Sequence, residues 1–383
     1  MSKLNSVHIS SLRNLTEVGL HLHPSFNFFY GDNGAGKTSL LEALYLLCNN
    51  RSFRSSKLSY TIQNGAAQSV LFASFTYGEQ GGDGDEQHKL GIQRRRGAAL
   101  ELKLDGEPLA STAQLAKLLP CLALDPSSFD LLDASPSGRR ALLDWLVFHV
   151  KHEFYPAWKA YQRCLKQRNM LLRRDKLEDS ELDYWDALLV EQALILERCR
   201  YEVRHDIAEA LKQLLSASEA PLSELSLEYK SGWPSLDNAM FKEPSKLHTV
   251  LLDALRSHRT RDLKQGFTGI GSHKFDLLFR VAKQPAAELL SRGQKKTCIV
   301  CLFLALGTCY RRAEHTQSSP IYLLDDLASE LDQEHLSYLL GRLNEQRAQC
   351  FISTVQKQSY DALSVIPESS WFHVKHGTIT AEE

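Results

Sequence analysis

The chain has 383 residues, of which 43% are hydrophobic and 24% charged, and its formal net charge is −1. This length allows two or three domains with a substantial core, and the balanced charge gives no bulk electrostatic sign of a nucleic-acid or membrane partner. No apolar run approaches the roughly 20 residues that a membrane helix needs, and the first residues lack the apolar segment of a signal peptide. We therefore expect a cytoplasmic protein without a membrane partner, whose 8 cysteines are reduced thiols.

The first strong motif follows a predicted strand that ends near residue 30. Residues 31–38 read GDNGAGKT and match the phosphate-binding loop pattern G-x-x-x-x-G-K-[ST] at each fixed position. Mostly apolar residues before the loop indicate a buried strand, and leucines after it recur at helical spacing. A chance glycine-rich turn, the alternative interpretation, would not bring this strand and helix with it. The predicted nucleotide-binding residues are Gly31, Asp32, Asn33, Gly34, Ala35, Gly36, Lys37 and Thr38.

The chemistry of this loop predicts that the chain binds a nucleoside triphosphate. Glycines allow a tight turn that points backbone N–H groups at phosphate oxygens, at a helix N-terminus whose dipole favours anions. Lys37 would reach the β and γ phosphates, and Thr38 would offer its hydroxyl to Mg²⁺. The sequence leaves undecided the roles of Arg13 and of the basic turn at 51–55, since each could contact the nucleotide or belong to a solvated loop. The basic run at 94–96 is typical of a solvated strand end.

The middle of the chain changes from strands to helices near residue 136. Short strands are predicted at 70–77, 90–94 and 100–104, and apolar residues then recur at helical spacing over 154–172 and 182–203. The polar link between these two helices is short, so they should form an antiparallel pair, each about 20 residues or roughly 30 Å long. A glycine-rich turn at 269–274 follows, where His273 could contact a ligand or simply belong to the turn.

The last third of the chain contains a second group of candidate site residues. The segment LSRGQKK at 290–296 precedes an apolar helix at 297–309, and an apolar strand at 321–324 runs directly into Asp325 and Asp326. Paired carboxylates at a strand end suit Mg²⁺–phosphate chemistry, with one oxygen ligand for the metal and one base or orienter for the attacking water. A chance acidic strand end is the alternative, which the presence of the phosphate loop argues against.

Four segments together resemble the P-loop, signature motif, Walker B strand and D-loop of ABC-type ATPases, namely 31–38, 290–294, 321–326 and 329–332. The long separation of Thr38 from Ser291, with a helical insertion between them, is similar to that of chromosome-maintenance and recombination ATPases. With the segments 53–55, 136–140 and 271–274 included, the chain resembles the RecF family of bacterial DNA replication and repair proteins from end to end.

This resemblance implies an α/β fold. The expected architecture is an ABC-type P-loop ATPase head, lobe I, with an inserted and mostly helical lobe II that carries the short antiparallel helical pair. We assign residues 1–125 to the N-terminal part of the ATPase lobe and 126–265 to the helical insertion. Residues 266–383 would form the C-terminal part of the ATPase lobe, with the signature, Walker B and D-loop segments.

The resemblance also implies an ATP-dependent DNA-binding protein that recognises gapped or junction DNA, with double- and single-stranded parts. Such a protein works with RecO and RecR to load recombinase, and associates with the nucleoid. It forms a homodimer when ATP is bound, with two nucleotides held between the P-loop of one subunit and the signature motif of the other. Its ATPase activity would be weak and would act as a switch.

Individual roles are carried over by the same resemblance. Lys37 and Asp326 would be catalytic, with Asp326 orienting the hydrolytic water, and Thr38 and Asp325 would hold Mg²⁺. The remaining nucleotide contacts would be those of the signature and D-loop segments, Ser291, Gly293, Gln294 and Asp332.

The sequence also departs from related patterns. Asp326 replaces the glutamate of transporter ATPases and is shorter by one C–C bond, about 1.5 Å, which predicts slow hydrolysis. Thr354 lies near the place of the usual switch histidine, and no Q-loop glutamine is identified. Ser272 and Phe275 replace the family's commoner proline and acidic residue. The rival interpretations are a transporter ATPase subunit, which the long insertion argues against, and a chromosome-condensation ATPase, which would need much longer arms.

Overall fold

The structure is a computed structural model that describes residues 2–77, 86–174, 176, 178–234, 236, 244–313, 318–357, 360 and 368–382. The chain forms two compact units. Unit 1 combines Met1–Asp130 with Lys296–Glu383, and unit 2 is Leu131–Lys295. The division into functional lobes at residues 125 and 265 stays a prediction. No helix among the described residues combines the length and the apolar character needed to cross a membrane.

Strands dominate the N-terminal third of the chain, and helices dominate its middle. The strands are β1 (Lys3–Leu12), β2 (Leu15–His21), β3 (Phe26–Tyr30), β4 (Gln68–Tyr77), β5 (Glu86–Arg95), β6 (Glu101–Leu104), β7 (Glu107–Pro108), β8 (Cys121–Leu124), β9 (Ser226–Lys230), β10 (Asp276–Val281), β11 (Gln284–Pro285), β12 (Ile321–Leu324), β13 (Cys350–Thr354), β14 (Ser369–Lys375) and β15 (Thr378–Ala381). The helices are α1 (Lys37–Asn49), α2 (Thr112–Leu118), α3 (Pro136–Val150), α4 (Phe154–Leu171), α5 (Asp179–Leu215), α6 (Pro244–Gln265), α7 (Ala286–Leu289), α8 (Arg292–Arg312) and α9 (Gln333–Glu345).

Unit 1 contains a mainly parallel sheet in the order β15-β14-β3-β13-β12-β8. Only β15, which pairs with β14, is antiparallel to its neighbour. The sequence of β3, FNFFY, is almost entirely buried, as expected for a strand inside a parallel sheet that is covered on both faces. Because β3, β13 and β12 are adjacent and parallel, their carboxyl ends meet at one edge of the sheet.

A second sheet of unit 1 is antiparallel, in the order β2-β1-β4-β5-β6-β7. Its strands alternate buried and exposed residues, which fits a sheet with one face on the core and one in water. Helix α1 shares a single hydrophobic core with both sheets. This core includes Leu40 and Leu44 of α1, Ile9 of the antiparallel sheet and Phe29 of the parallel sheet.

Unit 2 is mostly helical and also contains the small antiparallel sheet β11-β10-β9. The pairing of α4 with α5 is antiparallel, as predicted. Arg168 near the end of α4 contacts Asp186 near the start of α5, with 2.6 Å between Nε and Oδ1, whereas Glu153 just before α4 lies 3.0 Å from Arg198.

The second helix of the pair is longer than predicted. Helix α5 has 37 residues, or roughly 55 Å at 1.5 Å per residue. The predicted length was wrong because the buried stripe continues beyond Val203 through Ile207, Leu211 and Leu215.

A buried charge network connects three helices of unit 2. Arg168 is fully buried and donates hydrogen bonds to Asp186 of α5, to Asp262 of α6 at 2.7 Å and to Thr268 at 2.8 Å. Removing one member of such a network leaves an uncompensated buried charge, at a typical cost of about 3–5 kcal/mol. Arg168 therefore fixes the relative positions of α4, α5 and α6.

Candidate nucleotide-binding site

The phosphate loop connects the end of β3 to the start of α1, as the sequence predicts. Gly31, Gly34 and Gly36 have φ values of 152°, 79° and 125°, in the region that favours glycine. A Cβ added to Gly31 would lie 2.1 Å from the carbonyl oxygen of Val374 on β14. Only glycine fits at this position, because β14 runs directly beside the loop.

Lys37 lies inside the loop with 6% of its surface exposed. Its Nζ donates hydrogen bonds to the carbonyl oxygens of Gly31 at 2.6 Å and of Asp32 at 2.9 Å. Burial lowers the pKa of the Lys37 ammonium, and the carboxylates of Asp326, Asp325 and Asp32 oppose this shift. The loop therefore holds a desolvated cation close to the Walker B carboxylates.

The Walker B carboxylates follow β12 and meet the phosphate loop at the carboxyl edge of the sheet. Thr38 Oγ1 donates a hydrogen bond to Asp325 Oδ1 at 3.1 Å, although the two residues are 287 positions apart. Burial raises the pKa of Asp325, while hydrogen bonds from Ser353 and Thr38 act in the opposite direction. Asp326 has a φ of 48°, in the left-handed region, so the chain turns sharply directly after Asp325.

Ser353 on β13 is a site residue that the sequence analysis did not identify. Its hydroxyl donates to Asp325 Oδ1 at 2.6 Å and accepts a hydrogen bond from the Asp326 backbone N–H at 2.9 Å. One serine thus orients both acidic residues. The neighbouring Thr354, which lies near the place of the switch histidine, is buried and hydrogen-bonds the carbonyl oxygen of Gln356.

A cavity of about 770 Å³ opens at this edge of the sheet, with room for a nucleotide. Phosphate-loop residues and both Walker B carboxylates line it, together with basic, polar and apolar groups from the antiparallel-sheet side of unit 1. The lining residues are Arg13, Asn14, Asn33, Gly34, Gly36, Lys37, Thr38, Ser39, Arg54, Tyr60, Ile62, Asn64, Arg96, Asp325 and Asp326. Gly31, Asp32 and Ala35 belong to the same loop and are not among these lining residues.

The cavity lining bears on two alternatives that the sequence left open. Arg13 and Arg54, from the β1–β2 turn and from the turn at 51–55, both line the cavity. The interpretation of the basic run at 94–96 as a solvated strand end was incomplete, because Arg96 also lines the cavity. Asn14, which the sequence did not single out, donates from Nδ2 to the carbonyl oxygen of Gly34 at 3.2 Å.

The signature residues form the exposed start of α8. Ser291 and Gln294 cap each other, because the Gln294 side chain accepts from the Ser291 N–H at 3.0 Å and the Ser291 hydroxyl accepts from the Gln294 N–H at 3.3 Å. Gly293 is exposed in the first turn of this helix. Asp332 caps α9 by accepting from the His335 N–H at 2.9 Å, and it does not line the cavity.

The turn at 271–274 is held inside unit 2. The Ser272 hydroxyl accepts from Trp233 Nε1 at 3.0 Å, and its carbonyl oxygen accepts from Arg200 at 2.6 Å. His273 Nε2 lies 3.2 Å from the carbonyl oxygen of Thr268, and its Nδ1 lies 2.9 Å from the Tyr161 hydroxyl. These contacts favour the simple-turn interpretation of His273.

Known proteins resemble this chain over nearly its whole length. Residues 3–377 match the family described as the RecF/RecN/SMC N terminal domain. A protein of Saccharophagus degradans named DNA replication and repair protein RecF is 36% identical, with 100% of both chains covered. A Chromohalobacter salexigens protein of the same name is 37% identical, with 99% of each chain covered.

Solved structures with a similar fold include a RecF protein and an Smc head. A structure of the recombination mediator protein RecF with ATP, in the RecFOR pathway, has a TM-score of 0.85 at 24% identity, with 100% of this chain and 98% of that chain covered. A structure of the Smc head bound to the C-winged helix domain of ScpA has a TM-score of 0.56 at 12% identity and covers 99% of this chain and 97% of that chain. The predicted fold class, an ABC-type ATPase head with mixed sheets and helices, is confirmed.

Proposed function

Since this chain belongs to the RecF family of DNA replication and repair proteins, we propose that it is an ATP-dependent DNA-binding protein of recombinational repair. It recognises gapped or junction DNA on the nucleoid and assists recombinase loading together with RecO and RecR. The observation that carries the proposal is the contact of Thr38 with Asp325 in a cavity lined by a glycine-rich phosphate loop.

ATP is the proposed ligand of the cavity. The loop from Gly31 to Thr38 surrounds the phosphates with backbone N–H groups, and Lys37 supplies a positive charge that is already desolvated. Arg13 and Arg54 also line the cavity and add positive charge that favours a polyanion. The solved RecF structure similar to this chain is described as a complex with ATP, which supports this assignment.

The residues present fit Mg²⁺, the metal of such ATPases. Thr38 and Asp325 offer a hydroxyl and a carboxylate, the hard oxygen ligands that Mg²⁺ prefers, and its remaining positions would go to water and phosphate oxygens. Bound Mg²⁺ would neutralise charge on the β and γ phosphates. Ser353 and Thr38 keep the Asp325 carboxylate oriented by hydrogen bonds to Oδ1.

Hydrolysis is assigned to Asp326 and Lys37. The Asp326 carboxylate accepts a hydrogen bond from the attacking water and aligns it with the γ-phosphorus. As the water oxygen bonds to that phosphorus, the bond from the phosphorus to the ADP oxygen breaks and the water proton passes to the released phosphate. Lys37 stabilises the charge on the phosphate oxygens. The short aspartate side chain leaves the water less well aligned than a glutamate would, so ATP turnover is slow and serves as a switch.

The active form is an ATP-dependent homodimer. The phosphate loop of one subunit would bind ATP, and Ser291, Gly293 and Gln294 of a second subunit would close the site from the γ-phosphate side, with Asp332 nearby. Ser291 and Gly293 are exposed at the start of α8, where backbone N–H groups and the helix dipole favour an anion. Dimerisation would therefore depend on the nucleotide.

The test is DNA binding by fluorescence anisotropy with gapped, duplex and single-stranded DNA, each with and without ATP. We expect affinity for gapped DNA to rise with ATP in the wild type and not in Lys37→Ala, because only the wild type forms the dimer. Affinity should fall steeply with salt and depend little on base sequence, since phosphate contacts release counterions. Affinity that is unchanged by ATP would contradict the coupling. Absence of DNA binding under every condition would favour a transporter-type ATPase subunit.

A further inference from the structure

The phosphate-loop helix carries a fully buried carboxylate that the roles above do not use. Glu42 lies on α1 with 0% of its surface exposed. Its oxygens contact groups from two separate parts of the chain, Arg13 in the β1–β2 turn and Ser52 in the turn after α1. A buried carboxylate is costly unless it is paired and hydrogen-bonded. We therefore ask what Arg13 and Ser52 do when Glu42 fixes their positions.

The first of these groups is Arg13. Its Nε and Nη2 each donate to one oxygen of Glu42 at 2.8 Å, which is a two-point arginine–carboxylate pair, and its Nη1 donates to the carbonyl oxygen of Tyr60 at 2.8 Å. The hydrogen bond with Glu42 raises the pKa of Arg13. Arg13 is therefore fixed in one orientation at the edge of the nucleotide cavity, between α1 and the segment that carries Tyr60.

The second group is the turn at 51–55, which Glu42 organises through Ser52. The Ser52 hydroxyl donates its one proton to Glu42 Oε1. Its lone pairs then accept the backbone N–H groups of Arg54 at 3.0 Å and Ser55 at 2.9 Å. Because the Ser52 proton is donated to Glu42, the hydroxyl oxygen is left to accept these two N–H groups. Their hydrogen bonds hold the turn that carries Arg54.

Arg54 is the least constrained cation of this cluster. Its side chain is 46% exposed, and its nearest Glu42 contact is 4.0 Å between Nη1 and Oε2, at the outer limit of an ion pair. Arg13, by contrast, already uses Nε and both Nη atoms. When a phosphate enters the cavity, Arg54 can turn to it without breaking a close ion pair.

We propose that Glu42 is a positioning residue which, through the Ser52 hydroxyl, holds Arg54 over the nucleotide cavity for phosphate capture. The same carboxylate holds Arg13 in register with the phosphate-loop helix. Phosphate binding in the cavity therefore depends on the conformation of the turn at 51–55. This inference rests on the proposed function, because it names residues that support nucleotide binding at the same site.

We call the chain of contacts from Glu42 through Ser52 to Arg54 the relay. The experiment compares two serine variants of the same turn to separate this relay from a merely structural role. Ser52→Ala removes the link to Glu42 and leaves the Arg13–Glu42 pair intact. Ser55→Ala is the matched control, because among the described residues the Ser55 hydroxyl hydrogen-bonds the backbone of Lys57 and not Glu42. Binding of a fluorescent ATP analogue is measured for the wild type, both serine variants, Arg54→Ala and the double variant Ser52→Ala/Arg54→Ala, with thermal melting as a check of folding.

We expect Ser52→Ala to weaken ATP binding about three- to tenfold, the typical effect of one hydrogen bond, and Ser55→Ala to bind like the wild type. If Ser52 acts through Arg54, the double variant binds no more weakly than Arg54→Ala alone. Equal ATP affinities of Ser52→Ala and Ser55→Ala would overturn the relay. A loss of ATP affinity on Ser52→Ala that is equally large in the presence and in the absence of Arg54 would overturn it too. ATP binding that fails in the wild type would instead overturn the proposed function.

Discussion

At the scale of single residues, two adjacent carboxylates have different surroundings, which supports the different roles that we propose for them. Asp325 is buried, and its Oδ1 accepts hydrogen bonds from Ser353 and Thr38. For Asp326 the described contacts involve its backbone, because its N–H donates to Ser353 and its carbonyl oxygen accepts from Ser329. Asp326 lines the cavity, and no described residue hydrogen-bonds its carboxylate, so this carboxylate can accept a hydrogen bond from a water molecule.

This difference predicts the behaviour of Asp326→Asn. The variant should bind ATP normally and hydrolyse it about 10²-fold more slowly or worse, the usual effect of losing a group that positions or deprotonates water. It should also accumulate as a dimer, since hydrolysis would no longer release the closed form. ATPase assays and size-exclusion chromatography in ATP measure both effects. An ATP-bound variant that elutes only as a monomer would contradict this role.

Lys37→Ala is the contrasting residue-scale variant. It removes the buried ammonium of the phosphate loop while leaving both carboxylates in place. We expect ATP affinity itself to fall, and the ATP-dependent dimer to disappear with it. The two variants therefore separate nucleotide capture from hydrolysis. Dimer formation by Lys37→Ala at ATP concentrations that saturate the wild type would argue against phosphate binding by Lys37.

At the scale of elements, the turn at 271–274 is held by hydrogen bonds to other parts of unit 2. A neutral His273 bridges Tyr161 and Thr268, with its proton on Nε2 so that the Thr268 carbonyl oxygen can accept it. Burial lowers the pKa of His273 from 6.5 to about 4. Between these two values the unfolded chain binds a proton that the folded chain does not.

The free energy of unfolding should therefore fall as the pH drops from 6.5 towards 4, by up to about 3 kcal/mol for this residue. Above pH 6.5 His273 is neutral in both the folded and the unfolded chain, and it causes no such loss of stability. We expect His273→Gln, which keeps a hydrogen-bonding side chain, to lack this part of the pH dependence. Urea unfolding followed by tryptophan fluorescence at several pH values tests it, and curves that stay parallel for wild type and variant across the window would refute it.

At the scale of the whole molecule, the proposed shared site makes a prediction about mixed dimers. Lys37→Ala and Ser291→Arg should each be inactive on its own, the first for lack of phosphate affinity and the second because a bulky side chain obstructs the γ-phosphate. In a mixed dimer with shared sites, one site carries both defects and the other carries neither. Mixing should therefore restore partial ATPase activity, with a maximum near equal amounts.

The contrary result is equally clear. If each chain completed its own site, every site in the mixture would carry one defect and no activity would return at any ratio. A cross-link between differently tagged variants that depends on ATP checks that mixed dimers form. Cross-linked but inactive mixtures would show that both sites must act together.

The sequence by itself determined the local chemistry of the candidate nucleotide site. The phosphate loop could be predicted because its glycines, Lys37 and Thr38 act within eight consecutive positions, where backbone conformation follows from residue type. Asp325 and Asp326 could be predicted because a strand end places them at a sheet edge. The antiparallel helical pair followed from apolar periodicity and a short link, although the length of α5 did not.

Only the tertiary structure decided which distant groups complete the site. Ser353, Glu42 and Arg96 carry no local signal, because a serine in a buried strand, a glutamate on a helix and an arginine at a strand end are common everywhere. Their roles depend on burial and on partners far away in the sequence, such as Ser353 with Asp325 and Glu42 with Arg13. A buried polar group must find its partner in space, and spatial neighbours are set by the packing of both sheets around α1.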